Sequence, residues 1–263
     1  MESIITFASI AAAYFWFRWY LATWPGNLNK FFRKTAPWLL VLVPLLAAAI
    51  IWYVVFYLAA SDVVSDFYYI AIYFGLGVVW LKVAEYLFRF LGISAENDIV
   101  ERGNLAALAA YAGGLMGIAL CYAGGNIGEG PGPQAVIICA GMASVAFFVV
   151  WFVLTAFTEI DYTVTVDRDL ATGIRLGSFL LASGLILGRS AVGNYFTAQI
   201  AWNDFYTHAW PVLPLLVVAI LFEYLSKPTV ERPVPSPMMF GAIPAVIYMG
   251  SAILYLLVGH FPA

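Results

Sequence analysis

The amino-acid sequence predicts an all-α fold, a polytopic membrane helix bundle of about eight transmembrane helices. Three observations carry this. Of 263 residues, 63% are hydrophobic and only 10% charged, with a mean hydropathy of +0.91; soluble domains carry about 25% charged residues. The apolar residues fall in long runs, and roughly 20 residues rising about 1.5 Å each are enough to cross a bilayer. Runs of that length also exclude a β-barrel as the spanning structure.

Eight segments meet the length requirement: Ile4–Thr23, Pro37–Ala60, Phe67–Phe90, Leu105–Gly125, Gln134–Phe157, Leu170–Val192, Thr207–Ser226 and Met238–Gly259. The first reads as an uncleaved anchor, because Met1 and Glu2 open it without a basic stretch and its positive charges follow the apolar run. Pro/Gly-rich or charged connections separate the others, such as residues 124–133 and 226–237. Pro211 and Pro214 interrupt the seventh segment and Pro244 lies in the eighth; prolines there kink a helix and release carbonyls. Residues 194–208 mix aromatics with Asn, Gln and Asp, as either a loop or a short interfacial helix would.

Lys and Arg set the expected orientation. With the amino terminus outside, the cytoplasmic connections hold Lys30, Arg33, Lys34, Arg102, Arg168, Lys227 and Arg232, with Arg89 at their edge. Arg18, Lys82 and Arg175 lie near the cytoplasmic ends of their helices. The outer connections hold Asp62, Asp66, Glu129 and Asp204, and only Arg189 breaks the pattern. Both termini are therefore expected on the outer side of a bacterial cytoplasmic (inner) membrane. Trp16, Trp19, Tyr20, Trp24 and Trp38 mark the inner interface, and Tyr195, Trp202, Phe205, Tyr206 and Trp210 the outer one.

Two stretches resemble each other at an offset of 65 residues: 101–117 (ERGNLAALAAYAGGLMG) and 165–184 (TVDRDLATGIRLGSFLLASG). Asn104 aligns with Asp169, each where a helix N-cap belongs, and Gly128 aligns with Gly193. This is a parallel repeat, so three regions are expected: a helix pair over 1–66, a repeated core over 67–193 (67–128 and 132–193), and a helix pair with an outer segment over 194–263. Gly113 and Gly117 share a face of one repeated helix, as do Gly173 and Gly177, then Gly184 and Gly188, in the other. Small residues four apart let helix backbones approach closely in lipid. They read as packing faces, with a Gly-lined permeation path as the sharper alternative.

At these residues the chain resembles the small bacterial membrane proteins grouped as domain of unknown function 350, whose members carry two tandem helix pairs. Residues 104–117 look like the first copy and 169–184 like the second, which departs from the pattern at Asp169 and Arg175. The resemblance covers Phe67–Gly193, about half of the chain; it implies a fold and no activity.

Charges inside spans are costly and are candidates for function. Lys82 and Glu85, three apart on one helix, can neutralise each other. Arg175 and Glu223 lie at a similar depth in other helices. Two readings stand for these four: snorkelling and ion pairs that fix helix register, or a polar vestibule for an ion, proton or small charged solute. In the vestibule, Arg175 would take an anion while Glu85 and Glu223 accept a proton or cation. Arg189 could snorkel outward or pair with Asp204 or Glu129. Glu96, Asp98, Glu101, Glu159, Asp161 and Asp167 form a cytoplasmic acidic rim, either solvated or docking a basic partner.

Cys121 and Cys139 lie in apolar stretches, as buried thiols or a bridge across one turn, and no disulfide framework or zinc spacing exists. His208 and His260 sit at the outer edge, poorly placed for a bis-His haem. No CxxC, HExxH, GxSxG or phosphate-loop pattern occurs, so no cofactor, metal or catalytic set is predicted. The net charge of -3 gives no sign of nucleic-acid binding. The expectation is a non-enzymatic structural or assembly subunit, partnered by the lipid bilayer and by copies of itself or other membrane subunits. The alternative is an ion or small-solute channel or secondary transporter.

Overall fold

The computed structural model describes residues 2–23, 36–195, 197–226 and 236–259. Trp24, Lys30, Arg33, Lys34, Lys227, Arg232 and His260 lie outside the described residues. In chain order the helices are α1 (Glu2–Thr23), α2 (Ala36–Tyr57), a short α3 (Ser61–Val64), α4 (Phe67–Phe88), α5 (Leu105–Gly124), α6 (Pro133–Thr158), a short α7 (Ile160–Thr165), α8 (Leu170–Ser190), α9 (Ala198–Ala209), α10 (Val212–Ser226) and α11 (Ile243–Val258). A π-helical turn, Met238–Ala242, leads into α11, and another, Ala95–Glu101, precedes α5. No strand forms among the described residues. Among the described residues, seven helical stretches are long and apolar enough to span a membrane, and α9 with α10 makes an eighth if that bent pair is one span. The chain is an all-α, multi-pass bundle.

Local chemistry starts these helices. The Asn104 side chain accepts from the amides of Ala106 and Ala107 at 2.9 and 3.1 Å, and Asp169 accepts from Ala171 and Thr172 at 3.3 and 2.9 Å. Each satisfies donors that a first helical turn leaves open. Pro133 opens α6 at a position where a missing N–H costs nothing.

Helices α5 and α8 form the most extensive interface in the molecule and lie at its centre. Their apolar windows are 72% buried, against 22% for α1 and α11. The two run parallel with their backbones touching. A Cβ on Gly113 would overlap the Gly177 carbonyl, and one on Gly124 would overlap Gly188. Gly173 lies against Ala106, Gly184 against Gly117, and Gly188 against Leu120. Lipid supplies no hydrophobic drive for helix association, so this contact rests on dispersion between surfaces that only glycine leaves flat enough to meet.

Both ends of the seam are tied. At one end Asn104 Nδ2 donates to the Val164 carbonyl at 2.7 Å. At the other, Gly193 N–H donates to the Ile127 carbonyl at 3.2 Å and Tyr195 N–H to the Glu129 carbonyl at 2.8 Å. Around this pair, α2 packs on α5 and α11 on α8, while α1 packs on α4 and α10 on α6.

Three expectations need correction. The seventh segment, expected as Thr207–Ser226, straddles a break: α9 and α10 meet at 41° beside Trp210 and Pro211. Pro211 has no amide hydrogen to continue the ladder, whereas Pro214 sits in the first turn of α10, where none is needed. At 15 residues α10 is about 22 Å long, shorter than the hydrocarbon core. Trp16 and Trp19 do not face outward as belt residues would. Both are buried, and Trp16 Nε1 donates to the Val78 carbonyl of α4 at 3.1 Å. Phe205 and Tyr195 are buried likewise, whereas Trp38, Trp202, Tyr206 and Trp210 are exposed. Asp98 leaves the acidic rim: it is buried, accepting the Ser94 amide at 2.8 Å and pairing with Arg102 at 3.2 Å.

The seam predicts opposite signs for glycine substitutions. Gly113→Ala puts a methyl group into the α8 backbone, so a loss of about 3 kcal/mol or more is expected. Gly141→Ala and Gly250→Ala meet nothing within 4 Å and are expected to stabilise by about 0.5–1 kcal/mol. Thermal unfolding of the purified variants in detergent measures both.

Candidate functional site

The four charges singled out in the spans resolve into two ion pairs. On α4, Lys82 Nζ lies 2.7 Å from Glu85 Oε2, and Arg89 approaches the other Glu85 oxygen at 3.7 Å. Glu85 is only 2% exposed. Lys82 also stands 4.9 Å above the Trp16 ring, a cation–π contact that shields its charge from lipid. This group is local, built by one helix turn and closed by α1. Near it lie the hydroxyl of Tyr111 and the indole N–H of Trp19, both buried and without a hydrogen-bond partner among the described residues.

The second pair joins distant parts of the chain. The Arg175 guanidinium, fully buried in α8, donates through Nε to Glu223 Oε1 and through Nη2 to Glu223 Oε2 at 2.9 Å. Nη2 also donates to Thr172 Oγ1 at 2.8 Å, and Nη1 to the carbonyl of Phe240. The Thr172 hydroxyl in turn donates to the capping carboxylate of Asp169 at 2.5 Å. Bidentate geometry suits a planar fork and a carboxylate. Four residues after Phe240 stands Pro244, which has no amide hydrogen to return to the Phe240 carbonyl as a regular helix would, and the guanidinium donates to that carbonyl. One side chain therefore holds α8, α10 and the entry to α11. Arg175 does not snorkel, and its guanidinium is engaged inside the protein rather than open toward an anion.

The remaining candidates are spread out. Asn104 and Asp169 serve as caps, and Gly113, Gly117, Gly173, Gly177, Gly184 and Gly188 serve the α5–α8 seam. Arg189, half-buried at the far end of α8, lies within electrostatic reach of Tyr195 and Tyr255. Glu129, expected as one of its partners, accepts from the Ser61 amide at 3.0 Å. His208 binds back to its own helix, its Nδ1 lying 2.8 Å from the Asp204 carbonyl. Cys121 and Cys139 are buried free thiols. No group of three or more metal-binding side chains occurs among the described residues.

Sequence reasoning missed Trp80, Ser144 and the groove they share. Trp80 Nε1 donates to Ser144 Oγ at 2.9 Å in a cavity of about 390 Å³ between α4 and α6, lined almost wholly by apolar side chains. It also missed the convergence of the connections at residues 59–63, 125–132 and 193–195, where Tyr195 is buried. Burial, with the Asp204 charge adding, pushes the Tyr195 phenol up, so it stays a donor, to the Val192 carbonyl at 2.9 Å. The glycines of residues 124–133 were the available signal for this second feature.

Removing one partner of a buried pair strands the other charge. Glu223→Ala is expected to cost about 3–5 kcal/mol. Arg175→Met with Glu223→Leu should recover most of that loss, because the double variant leaves no unpaired charge. Unfolding midpoints of the single and double variants decide it.

No family model, no curated protein and no solved structure matches this chain.

Proposed function

We propose that this protein is a non-enzymatic structural or assembly subunit of a membrane complex, in a bacterial cytoplasmic membrane, with both termini outside. The observation that carries the reading is the α5–α8 seam, in which two parallel helices touch backbone to backbone from Ala106 to Gly188. A helix pair packed this closely cannot slide or part without losing the contact, and it leaves no passage along its own interface. Arg175 and Glu223 satisfy each other, which favours a rigid part over a site that must release and rebind a charge. The periphery carries the opposite character. Long apolar side chains such as Phe7, Leu46, Val149, Leu221 and Leu254 stand exposed over the outer helices, available to lipid, further copies or other membrane subunits.

The orientation rests on the Lys and Arg of the connections after α4 and α6, Arg102 and Arg168, against acidic residues at the other end. The likeness to domain of unknown function 350 rests on the capped, small-residue starts of α5 and α8. One observation favours the channel or transporter reading: a buried ion pair stands beside a π-helical turn, and both intramembrane charges and π-helical turns recur at functional sites.

Native-detergent purification with cross-linking separates the two readings. A stoichiometric partner or a defined homo-oligomer, with liposomes no leakier than empty ones, is expected. A lone monomer that supports ion or solute flux, lost in Glu223→Gln, would overturn the subunit reading.

A further inference from the structure

We propose that the end of the bundle opposite Arg175 binds a single hard cation of the calcium class. The connections at residues 59–63, 125–132 and 193–195 enclose a cavity of about 20 Å³, room for one water-sized occupant. Two carboxylates line it, Asp62 and Glu129, and no Lys, Arg or His is among the lining residues. Each carboxylate has one oxygen held by a backbone amide. Asp62 Oδ1 accepts from Val63 N–H at 2.9 Å, and Glu129 Oε1 from Ser61 N–H at 3.0 Å. That fixes both side chains and leaves each a second oxygen.

The independent sign of a ligand is Asn126, which also lines the cavity and is 3% exposed. Its Nδ2 donates to the Tyr122 carbonyl at 2.7 Å, which sets the amide orientation. Its Oδ1 has no partner among the described residues. Buried acceptors are satisfied by a donor, a water or an ion. Beside two carboxylates, a cation is the occupant that also offsets their repulsion. An oxygen-only donor set selects a hard cation. The donors come from two separate connections and leave positions for water, which suits Ca²⁺ better than Mg²⁺, whose octahedron is more demanding. Bound there, it would link the α2–α4 connection to the α5–α6 connection. This inference is independent of the subunit reading.

The test is thermal unfolding of the purified full chain in detergent, in EDTA and then in CaCl₂, MgCl₂ or NaCl at matched ionic strength. A site of about millimolar affinity should raise Tm by about 3 °C in about 10 mM CaCl₂. Asp62→Asn and Glu129→Gln should each remove that shift while leaving Tm in EDTA unchanged or slightly higher. Three results overturn the proposal: no calcium shift in the unaltered chain, a shift that survives in the Asp62→Asn/Glu129→Gln double variant, or equal shifts with Mg²⁺ or Na⁺.

Discussion

The contact between α5 and α8 is the constraint on which the other helices depend. In water, apolar faces drive helices together whatever their detailed shape; in lipid they do not, because the tails are as apolar as the side chains. Association then needs closeness. Glycine at Gly113, Gly124, Gly177 and Gly188 brings backbone against backbone, where many weak dispersion contacts add up. The remaining spans use that pair as a scaffold, α2 against α5 and α11 against α8, with α1 and α10 beyond on α4 and α6.

The second constraint is electrostatic. Burying an ion in a low-dielectric medium is costly unless it is paired and its remaining hydrogen-bonding capacity is satisfied. Arg175 meets both conditions through Glu223, Thr172 and the carbonyl of Phe240. Pro244 contributes: in a regular helix its missing amide is the one that would take the Phe240 carbonyl, which the guanidinium takes instead. The Lys82–Glu85 pair solves the same problem within one helix, helped by the Trp16 ring. The two pairs therefore differ in what they organise. One neutralises a single helix; the other fastens three elements.

Much of the fold was legible because it is local. Asn104 and Asp169 announce helix starts, and the small residues four apart announce a close-packing face. Lys82 and Glu85 could be paired on paper because i and i+3 share a helix face. The partner of Arg175 was not legible, since Glu223 is 48 residues away on another helix and Phe240, 65 residues away, contributes a backbone carbonyl that its side chain does not announce. The break beside Pro211 was half legible: prolines flagged it, but the bend of 41° needed the neighbouring helices.

The sequence by itself determined that the solvent is lipid, that the chain crosses it repeatedly as helices, and where α5 and α8 begin. The tertiary structure alone decided which face of each helix turns inward. The physical reason is that membrane helices are apolar on every side, so composition does not distinguish a lipid-facing side chain from a core one. Trp16 and Trp19 show the consequence. They have the composition of an interfacial belt, yet both are buried, Trp16 with its indole N–H on α4 and Trp19 edge-on to the Trp16 ring.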